Sequence, residues 1–447
     1  MRNMLRCRRG SAAFATIVAM VPLIGVVALG AEAGAWYVTK QHAQNAADSA
    51  AMSGALTVAI QNAASPSVTD AQAYDYRGRQ FAAQNAFCNA GDTAYSGSHC
   101  AASLPAGTSQ TVQIDRGTYN PGSSPSWTTD AGGTAVRATV GQQQPAYLAA
   151  VLGLSTVNIG AIAIAEIKYP KDLCALGLGP SSNALTIGGS SSITGNGCGL
   201  MSNTTVKYNS TPNFSGSGWA VNGVGGCVAS AGHCALSVPY NYNMLPATNP
   251  LKALDTATFN TRTGNDPIPT CPSPGAGKCF ALTPNSSGTG AYGNLTVGNG
   301  DTATFAPGTY FFYNAAIKIT GGTVTGTGVT LVLLGDSSLS ISGGTVNLSA
   351  PAINTFSSLL NGVLIDDQAP AKSKNAVTIN GSGTVSLGGA MYFPNVDVSY
   401  GGTTQNSNTA CTQVVANTLT INGSAYLSTD NCAPGTIGKT QVVALVQ

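Results

Sequence analysis

The chain has 447 residues, a net charge of +2 and only 8% charged residues, against about a quarter in an ordinary soluble protein. Apolar residues make up 43%, which excludes a charged disordered chain. The near-neutral balance argues against nucleic acid as a partner, because phosphate binding needs a concentrated basic surface. At this length two to four domains are expected. Glycine is abundant, 55 residues, without the three-residue period of collagen.

Arg2, Arg6, Arg8 and Arg9 open the chain, and no charge follows from Gly10 to Ala31. Twenty helical residues rise about 30 Å, the thickness of a hydrocarbon core. Residues 12–34 therefore read as a transmembrane helix, with the span proper from Ala12 to Ala31, Pro22 as a kink, and Trp36 and Tyr37 at the interface. The arginines place residues 1–11 in the cytoplasm as a short tail. A cleaved signal peptide is the alternative: Ala31-Glu32-Ala33 fits a small-x-small site, but the apolar run exceeds the usual 7–15 residues.

Beyond the span comes an Ala-rich stretch, with alanines at 43, 46, 47, 50, 51, 55, 59, 63 and 64. It reads as an outward helical stalk that offers its small face to a partner helix, ended at Ser65-Pro66-Ser67. Thr69 or Asp70 can cap a second helix reaching about Phe87. Strands are expected at 111–114, 134–140 and 156–166, with a short helical stretch at 146–152. Residues 35–168 thus form an α+β domain, and 169–180 a linker.

From 181 to 447 short alternating phrases recur: Ala184-Leu-Thr-Ile-Gly-Gly-Ser190, Ala376-Val-Thr-Ile-Asn-Gly-Ser382 and Thr418-Leu-Thr-Ile-Asn-Gly-Ser424. Looser copies begin at Asn294, Ile317 and Leu339. Each closes on Gly or Asn-Gly, which supply the positive φ of a corner. Spacings near one or two multiples of about 20 predict an all-β parallel solenoid, with a β-sandwich as the alternative. Eight prolines between 239 and 284 mark an irregular insertion.

Of the 11 cysteines, Cys7 precedes the span and ten follow it, an even number, as an oxidising compartment favours. Proximity pairs them as Cys88–Cys100, Cys174–Cys198, Cys227–Cys234, Cys271–Cys279 and Cys411–Cys432. No zinc spacing occurs. Asp336-Ser-Ser-Leu-Ser340 resembles the metal signature of von Willebrand A domains, yet the strand-like continuation replaces the helix that fold needs. Asp366 and Asp367 follow an apolar strand and could serve polysaccharide cleavage; the simpler reading is two solvated turn carboxylates. No hydrolase or P-loop pattern is present. No catalytic residue, cofactor or metal is expected, and the chain is read as non-enzymatic.

The arginines and Gly10, the apolar span with Pro22, an acid at Glu32, Trp36-Tyr37, and then Gln44-Asn45-Ala46-Ala47-Asp48 with Ser49-Ala50-Ala51 resemble the TadE/TadG-like family of Flp (tight adherence) pilus assembly, over about residues 8–167. The resemblance to TadG is the better one: TadE-type pseudopilins resemble Gly followed by Glu at the fifth mature position, where this chain has Ala15. The resemblance implies a single-pass bacterial inner-membrane protein with a periplasmic body. Expected partners are pilus-assembly membrane proteins or pilin and the lipid bilayer, with a homo-oligomer open. Glu32 reads as a water-exposed interfacial carboxylate. Alternatives are a secreted adhesin or glycan-binding solenoid, and a polysaccharide-cleaving β-helix enzyme using Asp366 and Asp367.

Overall fold

The computed structural model describes residues 8–63, 68–92, 94–180, 183–229, 234, 236–259, 261–272, 275, 277–370, 376–403 and 410–446. Arg2, Arg6, Cys7, His233 and the expected break at Ser65-Pro66-Ser67 lie outside the described residues. The chain forms two units. One holds residues up to 59, 70–168 and from 443 on; the other holds 60–69 and 169–442.

α1 (Arg8–Ala63), which belongs to the first unit up to residue 59, is one unbroken helix of 56 residues that passes through Pro22. α2 (Tyr74–Gln84) follows. An antiparallel sheet is ordered β2 (Ser126–Thr129), β1 (Ser109–Asn120), β3 (Ala135–Pro145), β4 (Thr156–Lys168) and the C-terminal strand Val442–Leu445. Cross-strand partners Val140 and Ala161, Ala138 and Ala163, and Val136 and Ala165 are all buried. Strand alternation puts them on one face.

Three expectations need correction here. α2 starts at Tyr74 after an uncapped Ala73 and stops at Gln84; Asp70 is instead engaged by Arg77 and Thr57. The helical stretch at 146–152 shrinks to a 3-10 turn, Ala149–Leu152. The chain's last strand belongs to the first unit, since Val446 N donates to Ile164 O at 2.8 Å. The second unit is therefore an insertion between β4 and that strand.

The second unit is a parallel β-solenoid of about ten turns. Its repeated phrases stack in register. Val297 lies on Ile319, Ile319 on Ile341, and Ile341 on Ile379. Beyond them Tyr400 lies on Ile421, Ile421 on Ile187, and Ile187 on Tyr208. All are at most 3% exposed, so inward side chains pack while the alternate Thr, Ser and Asn stay wet. The 38-residue interval from Leu339 to Val377 is one turn, not two, lengthened by an excursion that includes the 3-10 turn Ser358–Leu360. The corner at Gly402, φ +59°, leaves no room for a Cβ against Gly381 O.

Stacking order departs from sequence order. The strand Asp172–Gly177 pairs with the late strand Thr412–Asn422 and with Gly199–Ser202, so residues 169–180 are a rung of the solenoid rather than a linker. The chain enters mid-stack, winds to Tyr240–Asn241, and restarts at the far end with Cys279–Leu282, which pairs in parallel with Thr302–Phe305. Residues 242–269 connect the two stretches as a strap along one face. Asn249 Nδ2 donates to Tyr392 Oη at 2.9 Å, Gln368 Nε2 to Leu254 O at 3.1 Å, and Arg262 to Ser286 O at 2.6 Å. Proline suits this segment because it cannot donate to a ladder. The Pro-rich region is thus a strap that ends in a regular rung.

Five cysteine pairs stand at disulfide distance, with Cα–Cα separations of 6.2 Å for Cys88–Cys100, 5.8 Å for Cys174–Cys198, 6.1 Å for Cys227–Cys234, 5.1 Å for Cys271–Cys279 and 4.7 Å for Cys411–Cys432. Cys227 and Cys279 sit on strands near opposite ends of the stack, where a local crosslink protects an otherwise open edge. Truncating the interior Leu333, which is fully buried, to Ala should cost the solenoid about 2–5 kcal/mol. Thr325→Ala on the wet side should stay within about 0.5 kcal/mol. Urea unfolding of the two variants measures the difference.

Candidate functional site: the anchor helix and its seat on the sheet

From Phe14 onward α1 is long and apolar enough to cross a membrane. Phe14, Ile17, Val18, Met20, Leu23, Ile24, Val26 and Val27 are each more than half exposed. Eight large apolar side chains on one helix, uncovered by the chain itself, match a lipid-facing segment. Arg8, Arg9 and Ala12 precede this stretch on the same helix, and Pro22 and Ala31 lie within it. Trp36 is half-buried and Tyr37 is 67% exposed.

Past Lys40 the same helix becomes a core element. Ala43, Ala46, Ala47, Ala50, Ala51, Ala55 and Ala59 are completely buried. Small side chains let the helix axis approach the sheet closely. At Gly54 a Cβ would stand 2.9 Å from Val136 Cγ1 and 3.3 Å from Tyr74 O. Polar contacts run along the seat: Lys40 Nζ donates to Gly160 O, Gln44 Nε2 to Ile162 O at 3.5 Å, and Ser53 Oγ to Arg77 O at 3.5 Å. The Ala face is therefore filled by the chain's own sheet, and the helix is no free stalk for a partner helix.

The Gln44-Asn45-Ala46-Ala47-Asp48 phrase divides accordingly. Ala46 and Ala47 are buried, Asn45 is exposed, and Gln44 Nε2 donates to Asp48 Oδ1 at 2.7 Å one turn on. Behind it, Asp70 accepts from Arg77 Nε at 2.8 Å, Arg77 Nη2 at 2.9 Å and Thr57 Oγ1 at 3.2 Å. The Arg77 guanidinium holds the Asp70 carboxyl below its ordinary range. This two-pronged contact is a charge-assisted pair between α2 and the segment before it, and the Thr57 hydroxyl joins Asp70 to α1.

Glu32 is half-buried rather than water-exposed. Its carboxylate accepts Tyr147 N at 2.6 Å, Leu148 N at 3.1 Å and Ala149 N at 2.9 Å. Nothing in the spacing of 32 and 147 signals that contact; only the fold brings them together.

The other acid pair also departs from expectation. Asp366 and Asp367 are 0% and 1% exposed and lie within the strand Val363–Asp367, so they are not turn carboxylates in water. Register sets Asp366 beside Val332 and Tyr392, which share the strap-side core, and Asp367 beside Leu333 of the solenoid interior. Adjacent strand residues point to opposite faces, so the two carboxyls cannot flank one glycosidic bond. Asp366 accepts Gln368 Nε2 at 2.7 Å, and Asp367 accepts Ala369 N at 2.9 Å. Burial pushes Asp366 up to about 8 and Asp367 up to about 7. A cleft of about 340 Å³ beside the strap is lined by Leu251, Ala253, Leu359 and Pro434 among others, with no titratable side chain.

Ser337 of the Asp336–Ser340 motif spends its hydroxyl on Leu334 O at 2.7 Å and Phe312 O at 3.3 Å, a turn staple rather than a metal ligand. Among the described residues no group of three His, Cys, Asp or Glu is placed to hold a metal ion.

Replacing Ala47 or Ala51 by Leu should overpack the seat and destabilise the first unit by about 1–3 kcal/mol. Thermal unfolding measures this; an unchanged midpoint with lost membrane partners would return the face to a partner helix. Asp366 and Asp367 also set a pH dependence. Between their ordinary value of 3.8 and about 8 or 7, the folded state holds protons that the unfolded chain has released. Stability therefore falls as pH rises across that window. Asp366→Asn should gain at least about 1 kcal/mol at pH 8 and almost nothing at pH 4, read as unfolding midpoints at the two pH values.

No curated protein and no solved structure matches the chain. Residues 10–59, nearly the whole of α1, match the family model described as "Putative Flp pilus-assembly TadE/G-like".

Proposed function

We propose that the chain is a single-pass protein of the bacterial inner membrane, with its N-terminus in the cytoplasm and its bulk in the periplasm. It serves assembly or anchoring of Flp-type pili as a structural part, without chemistry of its own. The observation that carries this reading is the coincidence of the family match at 10–59 with one helix that is apolar and uncovered at its start and sheet-packed at its end. The basic cluster before the span favours the orientation. Five cysteine pairs at disulfide distance, all beyond the span, favour an oxidising compartment for the body. Its partners on this reading are pilin or the membrane proteins of the pilus machinery.

A second reading gains support from one feature of the solenoid. Thr302, Thr323, Thr345 and Thr384 form one ladder, and Thr304, Thr325 and Asn347 a parallel one, on the outer side of the strands. A flat, uncharged hydroxyl surface of this kind suits glycan contact, and an envelope-anchored protein could use it for adhesion.

The test is fractionation of native cells with protease added to intact spheroplasts, followed by intact-mass analysis. Retention of the N-terminal segment in the inner-membrane fraction, digestion of the body only from outside, and loss of surface pili on deletion of the gene are expected. A mature chain starting near Gly34 in the culture medium, with pili unaffected, would contradict the proposal and favour the adhesive reading.

A further inference from the structure

The loop between β3 and β4 carries four exposed apolar side chains: Tyr147 at 73%, Leu148 at 43%, Val151 at 87% and Leu154 at 46%. No Lys, Arg, Asp or Glu occurs between Arg137 and Glu166. We propose that this loop, residues 146–155, is a second membrane contact, laid into the interfacial layer of the bilayer that α1 crosses. The inference rests on the anchored reading of α1.

Three observations fix the occupant as lipid. The first is depth. Glu32 follows directly on the uncharged run that ends at Ala31, where about 30 Å of helix has been used. Its carboxylate holds the backbone N–H groups of Tyr147, Leu148 and Ala149, so the loop sits at the level where the span ends. The strand agrees. β4 runs beside α1, with Gly160 opposite Lys40 and Ile162 opposite Gln44. Descending from Gly160 to Thr156 covers about 13 Å of strand, and from Lys40 to Glu32 about 12 Å of helix.

The second is backbone satisfaction. Beyond the three groups bound by Glu32, Ala146 N donates to Ser155 O, Val151 N to Leu148 O, Gly153 N to Ala150 O and Leu154 N to Ala149 O. Most of the loop's donors are used, which is what lets backbone enter a poorly hydrating layer. The third is composition. One Tyr with Leu and Val side chains, and no charge, is the make-up of an interfacial segment. The same helix face that carries Glu32 has Ala28, Leu29 and Trp36 half-buried, so cover begins within the apolar span itself.

The test uses the full chain with Cys7→Ser and Val151→Cys, the new thiol labelled with an environment-sensitive fluorophore. The protein is reconstituted into phosphatidylcholine–phosphatidylglycerol vesicles and floated, and nitroxide-bearing lipids are titrated in. Ser123→Cys, on the loop at the opposite end of β1, is the reference. The expected result is flotation, loss of most emission at position 151 to lipid-borne nitroxide, and none at 123; Glu32→Gln should weaken the quenching at 151. Flotation with 151 as unquenched as 123 would overturn the loop contact while leaving the anchor intact. Failure to float would overturn both. Shielding at 151 that needs other envelope proteins in the vesicles would assign the patch to a protein partner and overturn the lipid assignment.

Discussion

The close approach of α1 to the sheet is the contact on which the rest of the first unit depends. Seven fully buried alanines and Gly54 line the helix where it crosses β3 and β4. At Gly54 a larger side chain would have to displace Val136 or the Tyr74 carbonyl. The same helix carries eight exposed, large apolar residues before Glu32. One unbroken helix thus joins an apolar, uncovered half to a half buried in the fold, with no linker between them.

The solenoid is spliced into this arrangement rather than appended to it. The chain leaves the sheet after Lys168 and returns at Val442. Such an insertion requires the solenoid to start and finish at neighbouring points, and the stack order meets that requirement: Asp172–Gly177 pairs with Thr412–Asn422 and with Gly438–Lys439. The cost is a connection that must run back along the stack. Residues 242–269 supply it, with Leu251, Leu254 and Phe259 packed into a second core on the outside of the ladders. Asp366 is sealed under this strap and Asp367 within the interior, which is why both carboxyls are held toward the neutral form.

Much of this was legible in the sequence. The charge-free run after four arginines gives the long apolar helix, and the alanine spacing gives its continuation. Alternating Leu-Thr-Ile phrases closed by Gly give solenoid rungs, because inward and outward positions follow the period of a strand. What stayed hidden depends on long-range pairing. The alanine stripe reads the same whether it faces another helix or its own sheet. The phrases at 184–190 and 418–424 resemble each other, but similarity does not say that they are neighbours in the stack, as Leu419 and Leu185 are. Asp366 and Asp367 read as solvated because acids usually are; Asp366 is buried under a strap that reaches the neighbouring Gln368 from 114 positions away, and Asp367 in the solenoid interior. Glu32 and Tyr147 are brought together across 115 positions, beyond the reach of any local pattern.

The most direct test of a single rigid helix serving both membrane and fold is amide hydrogen exchange of the full chain in lipid nanodiscs. The account predicts slow exchange without interruption from Ala31 through Ala59, comparable to that of β3. A rapidly exchanging segment between Glu32 and Ala43 would contradict it, and would make the anchor a tether instead.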